Sequence, residues 1–122
     1  MNKILIERLQ KYFSMMNSDR IELLKQFIKD EPSNPFNKYA LAMEYYAEQP
    51  TKSLELLRSL INDHPDYLPT YFKAAHLLWD EELWDEADVT FKVGIELAER
   101  QNDQKAVSEL KSAYQNFQFD RD

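Results

Sequence analysis

The chain has 122 residues, 43% apolar and 30% charged, with a formal net charge of −7 and an isoelectric point near 4.8. That is enough for one domain with its own core, and it holds no cysteine, which excludes disulfides, thiol chemistry and sulfur-ligated metals. The single glycine argues against an all-β fold, which spends glycine on turns, and the acidity argues against nucleic acid, whose binding needs clustered Lys and Arg.

The first helix is expected near 3–16. Its apolar run, Ile4–Ile6, is followed at once by Glu7, Arg8 and Lys11, so it reads neither as a signal peptide nor as a membrane span. No other stretch approaches the length of a span, and the cytoplasm is the expected location. "NSD" at 17–19 resembles a helix cap and predicts a break before a second helix over 19–30, where Ile21, Leu24, Phe27 and Ile28 follow helical spacing. "DEPSNP" stops that helix and starts a third over 36–48. "EQPT" leads into a fourth over 51–63, with Leu54, Leu57, Leu60 and Ile61 on one face. "DHPDYLP" repeats the two-proline device before a fifth helix over 69–81. "DEELWDE" has no proline or glycine and must turn on polar residues alone. Helices over 84–100 and 104–116 complete about seven.

The chain repeats itself. "KDEPSNPFNKYALAMEYY" and "NDHPDYLPTYFKAAHLLW" share one layout, and Pro32 and Pro65 stand 33 residues apart. Such a period is the mark of stacked helical hairpins. Small residues at Ala42, Ala75, Ala87 and Gly94 allow close approach of helix axes, and Tyr45, Leu57 and Phe91 fill the gaps between neighbours. Gly94 would weaken a helix interior by about 1 kcal/mol against alanine, so tight packing is its expected purpose.

On these residues the chain resembles the tetratricopeptide repeats. In 67–99 the matching positions are Tyr71, Ala74, Ala75, Leu78, Ala87, Phe91 and Gly94, with Glu99 where the closing proline belongs. In 35–65 they are Leu41, Ala42, Tyr45, Ser53, Leu57, Leu60 and Pro65, with Lys38 where a large aromatic belongs. The resemblance implies an all-α, right-handed superhelical solenoid of antiparallel hairpins in one domain, 1–122. Its parts would be an N-terminal helix or arm at 1–18, a partial repeat at 19–32, repeats at 35–65 and 67–99, and a capping helix at 103–117. Residues 3–16 would supply the first helix of the partial unit, and the arm would either stay unstructured or fold over a groove. The dense "WDEELWDEADVTF" at 79–91 becomes an inter-helix corner, with Trp84 wedging the hairpin, helped by Leu83, and with Asp85, Glu86 and Asp88 complementing a helix N-terminus. It lacks the alternating oxygens and glycine of a calcium loop.

The resemblance also implies a concave surface lined by the first helix of each hairpin. It would carry Phe36, Tyr39, Met43 and Tyr46 from one unit and Phe72, His76 and Trp79 from the next. Such a strip suits a peptide or partner protein with apolar anchors. Two alternatives stand beside that reading: another part of the chain, the capping helix or the N-terminal arm, covers the strip, or a homodimer assembles through it or through an array end. A chaperone-type carboxylate clamp would need cations and Asn where Tyr39, Met43, Phe72 and His76 stand. No Gly-rich phosphate loop or nucleophile elbow is present. His76 and Asp80 alone fall short of the three ligands of a catalytic metal. The expected role is non-catalytic, with no cofactor, metal, nucleic acid or membrane.

Overall fold

The computed structural model describes residues 2–122; Met1, the first residue of the expected arm, lies outside the described residues. Six helices follow one another: α1 (Lys3–Asp30), α2 (Pro35–Tyr45), α3 (Pro50–Asp63), α4 (Pro69–Asp80), α5 (Trp84–Arg100) and α6 (Gln104–Arg121). No strand occurs among the described residues, and none of their helices is long and apolar enough to cross a membrane.

Local chemistry explains the boundaries. Helices α2, α3 and α4 each open on a proline, whose fixed φ suits the first turn and whose missing N–H is not needed there. Asn34 caps α2 by accepting a hydrogen bond from the Phe36 N–H at 3.0 Å, and Asp103 caps α6 by accepting one from the Ala106 N–H at 3.0 Å. The α4–α5 and α5–α6 corners close without glycine. In each, one residue takes the left-handed conformation, Glu82 at φ 59° and Asn102 at φ 56°. The Leu83 N–H then donates to the Leu78 carbonyl at 2.9 Å, and the Asp103 N–H to the Ala98 carbonyl at 3.0 Å, satisfying the exposed helix ends. Asparagine tolerates this backbone; glutamate is strained in it. Glu82→Gly is therefore expected to stabilise the protein by about 0.5–1 kcal/mol, read as a higher urea midpoint at unchanged slope.

The expected break at residues 17–19 is absent, so two anticipated helices are one and the count is six. Nothing in Asn17, Ser18 or Asp19 forbids a helix; each costs only a few tenths of a kcal/mol against better formers. The Asn17 side chain, which would have had to cap a new helix, accepts instead from the Arg20 guanidinium at 3.1 Å. Residues 3–16 do not fold back on 19–30. They continue α1 as an exposed overhang, with every residue from 2 to 20 exposed to solvent.

Each helix packs chiefly on the helices before and after it in sequence. This is the construction of a solenoid. The main core runs through α2 to α6, with Ala42, Leu57, Leu60, Ala74, Ala75, Leu78, Ala87, Phe91, Ala98, Leu110 and Phe117 buried in it. A smaller cluster of Leu24, Leu41 and Tyr45 joins α1 to α2. Within the α2–α3 hairpin, Ser53 Oγ donates to the Ala42 carbonyl at 2.7 Å in a buried contact. Lys38, at the position where the repeat pattern has an aromatic, donates to Ser59 Oγ at 3.0 Å and lies 3.5 Å from an Asp63 carboxylate oxygen. A polar link between α2 and α3 thus replaces an apolar wedge. The Glu99 substitution lets α5 run to Arg100, and Glu99 lies 3.6 Å from Lys111 Nζ of α6.

Gly94 meets its expected purpose. A Cβ built there would lie 2.8 Å from Tyr71 Cβ and 3.4 Å from Tyr71 Cγ, so α5 crosses α4 at a distance no other residue allows without movement. Tyr71 is buried, and its hydroxyl donates to the Pro65 carbonyl at 2.5 Å, pinning the loop before α4.

Candidate functional site: an aromatic groove

The alternate helices α2, α4 and α6 lie side by side along one face. Tyr39 of α2 meets Tyr67, just before α4, edge to face at 5.9 Å between ring centroids. Lys73 of α4 holds its ammonium 5.2 Å above the ring of Tyr46, the C-cap of α2. Trp79 of α4 meets Phe117 of α6 at 5.6 Å, and its indole N–H donates to Asp120 at 2.6 Å.

The seven residues assigned to this strip have different environments. Phe36 stands at the rim, 59% exposed. Tyr39, Met43 and Tyr46 are half-buried, with their inner sides on the main core. Burial pushes the hydroxyls of Tyr39 and Tyr46 up from the ordinary phenol value, reinforced by Tyr67 at the first and by Asp80 and then Tyr39 at the second. Both phenols are neutral donors throughout the physiological range. Phe72 and His76 stack with ring centroids 4.2 Å apart, and His76 also faces Phe91 at 5.7 Å. His76 Nδ1 lies 2.8 Å from the Phe72 carbonyl, a bond that requires its proton on Nδ1. Trp79 belongs to an aromatic cluster with Phe91, Phe117 and, through Phe117, Trp84 and Tyr114. Helix α6 thus closes the Trp79 end of the strip, and the Tyr39–Phe72 stretch stays open. Leu83, expected to assist Trp84 in the wedge, is 40% exposed, and Trp84 packs on Phe117 instead.

Sequence periodicity did not reveal the part played by α6. Between α4 and α6 lies a cleft of about 380 Å³, with Leu68, Phe72, Ala106 and Leu110 on its walls and Asp66, Asp103 and Glu109 at its rim. Gln101 donates to the Asp66 carbonyl at 2.8 Å across its mouth. The stripe Ala106, Leu110, Ala113 reads as cap packing in the sequence; its upper end also makes one wall of this cleft. Of the cations near the groove, Lys73 is already engaged on Tyr46.

On the far side, an ionic network ties α6 to α5. The Tyr114 hydroxyl donates to Asp88 at 2.7 Å, Lys92 Nζ lies 2.9 Å from the same carboxylate, and Arg121 donates to Asp85 at 2.5 Å. Burial opposes the charge on Asp88, but the bonds from Tyr114 and Lys92 and the charge of Arg121 outweigh it and hold its carboxyl below the usual carboxylate value. The sign follows: this link is present above the ordinary carboxylate range and is lost as acid takes the pH down through the lowered pKa. The network fixes α6, and with α6 the closed end of the groove.

No protein-family model matches the chain, and no curated protein matches it. Solved structures do. The solution NMR structure of a tetratricopeptide repeat domain protein from Salinibacter ruber is 34% identical, with a TM-score of 0.66; the match covers 70% of this chain and 88% of that one. A crystal structure of a tetratricopeptide repeat domain protein from the same organism is also 34% identical, with a TM-score of 0.67, and the match covers 70% of this chain and 97% of that one. At this identity and coverage, with stacked hairpins, an unbroken helical order and a glycine where α5 presses on Tyr71 of α4, the chain belongs to the tetratricopeptide repeat family.

Proposed function

We propose that the protein is a non-catalytic interaction module that holds a peptide segment of a partner protein in the groove of α2, α4 and α6. Residues 35–65 and 67–99 form its two full units in this reading, 19–32 a partial one, and 103–117 the cap. The observation that carries the proposal is the open aromatic stretch Phe36, Tyr39, Met43, Tyr46 and Phe72, continuous with the cleft beside Phe72. Aromatic and Met side chains offer much contact area for little lost freedom, which suits them to apolar anchors. His76 positions Phe72 by stacking on it, and Trp79 closes the end of the groove. The carboxylates of Asp66, Asp103 and Glu109 at the cleft rim favour a ligand with Lys or Arg beside its anchor. A carboxylate-terminated ligand meets no free cation cluster here.

Panning a random dodecapeptide library tests the chemistry. Selected peptides are expected to carry an aromatic or Leu anchor flanked by bases, and to shift the amide resonances of Phe36, Tyr39, Tyr46, Phe72 and Ala106. Phe36→Ala with Ala106→Gln, one at the rim and one filling the cleft, is expected to weaken binding about tenfold or more with the circular dichroism unchanged. Peptides that are acidic, or that shift only α3 and α5, sink the proposal.

A further inference from the structure

The overhang of α1 carries a surface that the groove does not use. Leu5, Leu9, Tyr12, Phe13, Met16, Leu23 and Phe27 are all between 41% and 59% exposed. Apart from the seven-residue step between Met16 and Leu23, where Arg20 stands, they follow helical spacing of three or four residues, so they form one stripe that runs about 33 Å along the helix. Leu24, Ile21 and Ile28, on an adjacent face, are the residues that pack towards α2. The stripe is therefore not the face that joins α1 to the solenoid. Half-exposed side chains of this size present roughly 700 Å² of bare apolar surface, more than monomers ordinarily leave in water. The overhang also lacks tertiary packing of its own, and an isolated helix of that length is marginal in water.

We propose that a second copy of the chain covers this stripe. Residues 5–23 of each copy lie antiparallel on residues 5–23 of the other, so that the start of each overhang covers the Leu23 face of the other's partial repeat. Three observations favour this occupant. The first is area: the paired parts of two such stripes bury about 1,200 Å² together, at the lower end of the range of stable specific interfaces. The second is charge. Antiparallel pairing that sets Leu5 on Leu23 and Tyr12 on Met16 brings Arg8 beside Glu22 of the second copy, twice; Glu22 is well exposed, with only Lys25 at 3.4 Å. Parallel pairing would gather Lys3, Arg8 and Lys11 of both copies and set Asp19 against Asp19. Arg20, the base inside the stripe, is already neutralised by Glu44 at 2.9 Å. The third is space. Helix α2 packs on the C-terminal half of α1, so antiparallel pairing puts the two solenoids at opposite ends and leaves the groove open.

The absence of cysteine gives a clean experiment. Light scattering of the full chain is expected to give twice the monomer mass of 14.6 kDa. Leu5→Cys and Leu23→Cys chains, one of them tagged and the two mixed in equal amounts, are expected to form a mixed disulfide dimer far faster than either alone. Leu9→Glu with Phe13→Glu is expected to weaken association by about 100-fold or more and to leave groove binding of the panned peptides unchanged, which separates this interface from the groove. A monomeric mass at micromolar concentration overturns the proposal. So does a disulfide formed within single chains of a Leu5→Cys, Leu23→Cys double variant, which marks a closed hairpin. A Leu5–Leu5 crosslink that outpaces the mixed one overturns the antiparallel arrangement.

Discussion

Replacing Phe117 with alanine is expected to reduce folding stability by about 3–5 kcal/mol, with a fall in Tm of roughly 15 °C. Phe117 is 0% exposed, although it lies four residues from the end of its helix. Its ring meets Trp79 at 5.6 Å, Trp84 at 5.9 Å, Phe91 at 5.3 Å and Tyr114 at 6.1 Å. Removing it leaves a cavity that rigid neighbours on α4, α5 and α6 cannot close, and the edge-to-face contact with Trp79, worth more than its area, is lost as well. Urea denaturation followed by tryptophan fluorescence reads the effect, because both tryptophans lie against the deleted ring. A loss below about 1 kcal/mol would mean that α6 is an appendage and that the groove has no closed end.

Gly94→Ala is expected to destabilise by about 1–2 kcal/mol, against the usual trend. In an exposed helix interior the same change stabilises by about 1 kcal/mol, since alanine orders at lower entropic cost. Here the new methyl would sit 2.8 Å from Tyr71 Cβ, the stiff base of a side chain rather than its movable tip. Tyr71 cannot turn away, because its hydroxyl is held on the Pro65 carbonyl. Helices α4 and α5 must move apart, and overpacking of that kind costs more than the propensity gain returns. A Gly94→Ala variant as stable as the parent would show that the crossing is loose. Gly94→Val, larger and β-branched, is expected to be worse still in the same denaturation experiment.

The order of helices from Pro35 onward is legible because its punctuation is local. Pro35, Pro50 and Pro69 each open a helix, and Trp84 begins α5 as the corner at 80–83 predicts. The break suggested at 17–19 does not form, because Asn17 serves equally as a cap or as a helical residue. The choice depends on whether the apolar face of residues 3–16 finds packing within the same chain, which no local signal reports. The strip Tyr39, Met43, Tyr46, Phe72 and His76 could be named only through the resemblance to the repeat family, which puts the first helix of each hairpin on the concave side; helical spacing alone gives a face, not its role. The cover of α6 on Trp79 stood in the sequence as one alternative, the capping helix folded on the strip, with nothing to fix where it would touch. Trp79 and Asp120 are 41 residues apart, and their bond exists only because the pitch of the solenoid brings α6 across α4. The left-handed Glu82 was equally hidden: a polar turn was foreseeable, but not which of its three acids would carry the strain.

Contacts that pass from each helix to its immediate successor also leave the molecule without a keystone. Among the described residues no hydrogen bond or ion pair joins α1 or α2 to α6, so the array can grow by copying: a duplicate of one unit set in after Leu68 would find on either side the surfaces its original already meets. Descendants of such a gene can lengthen in steps of one hairpin, each step adding a fresh stretch of concave wall.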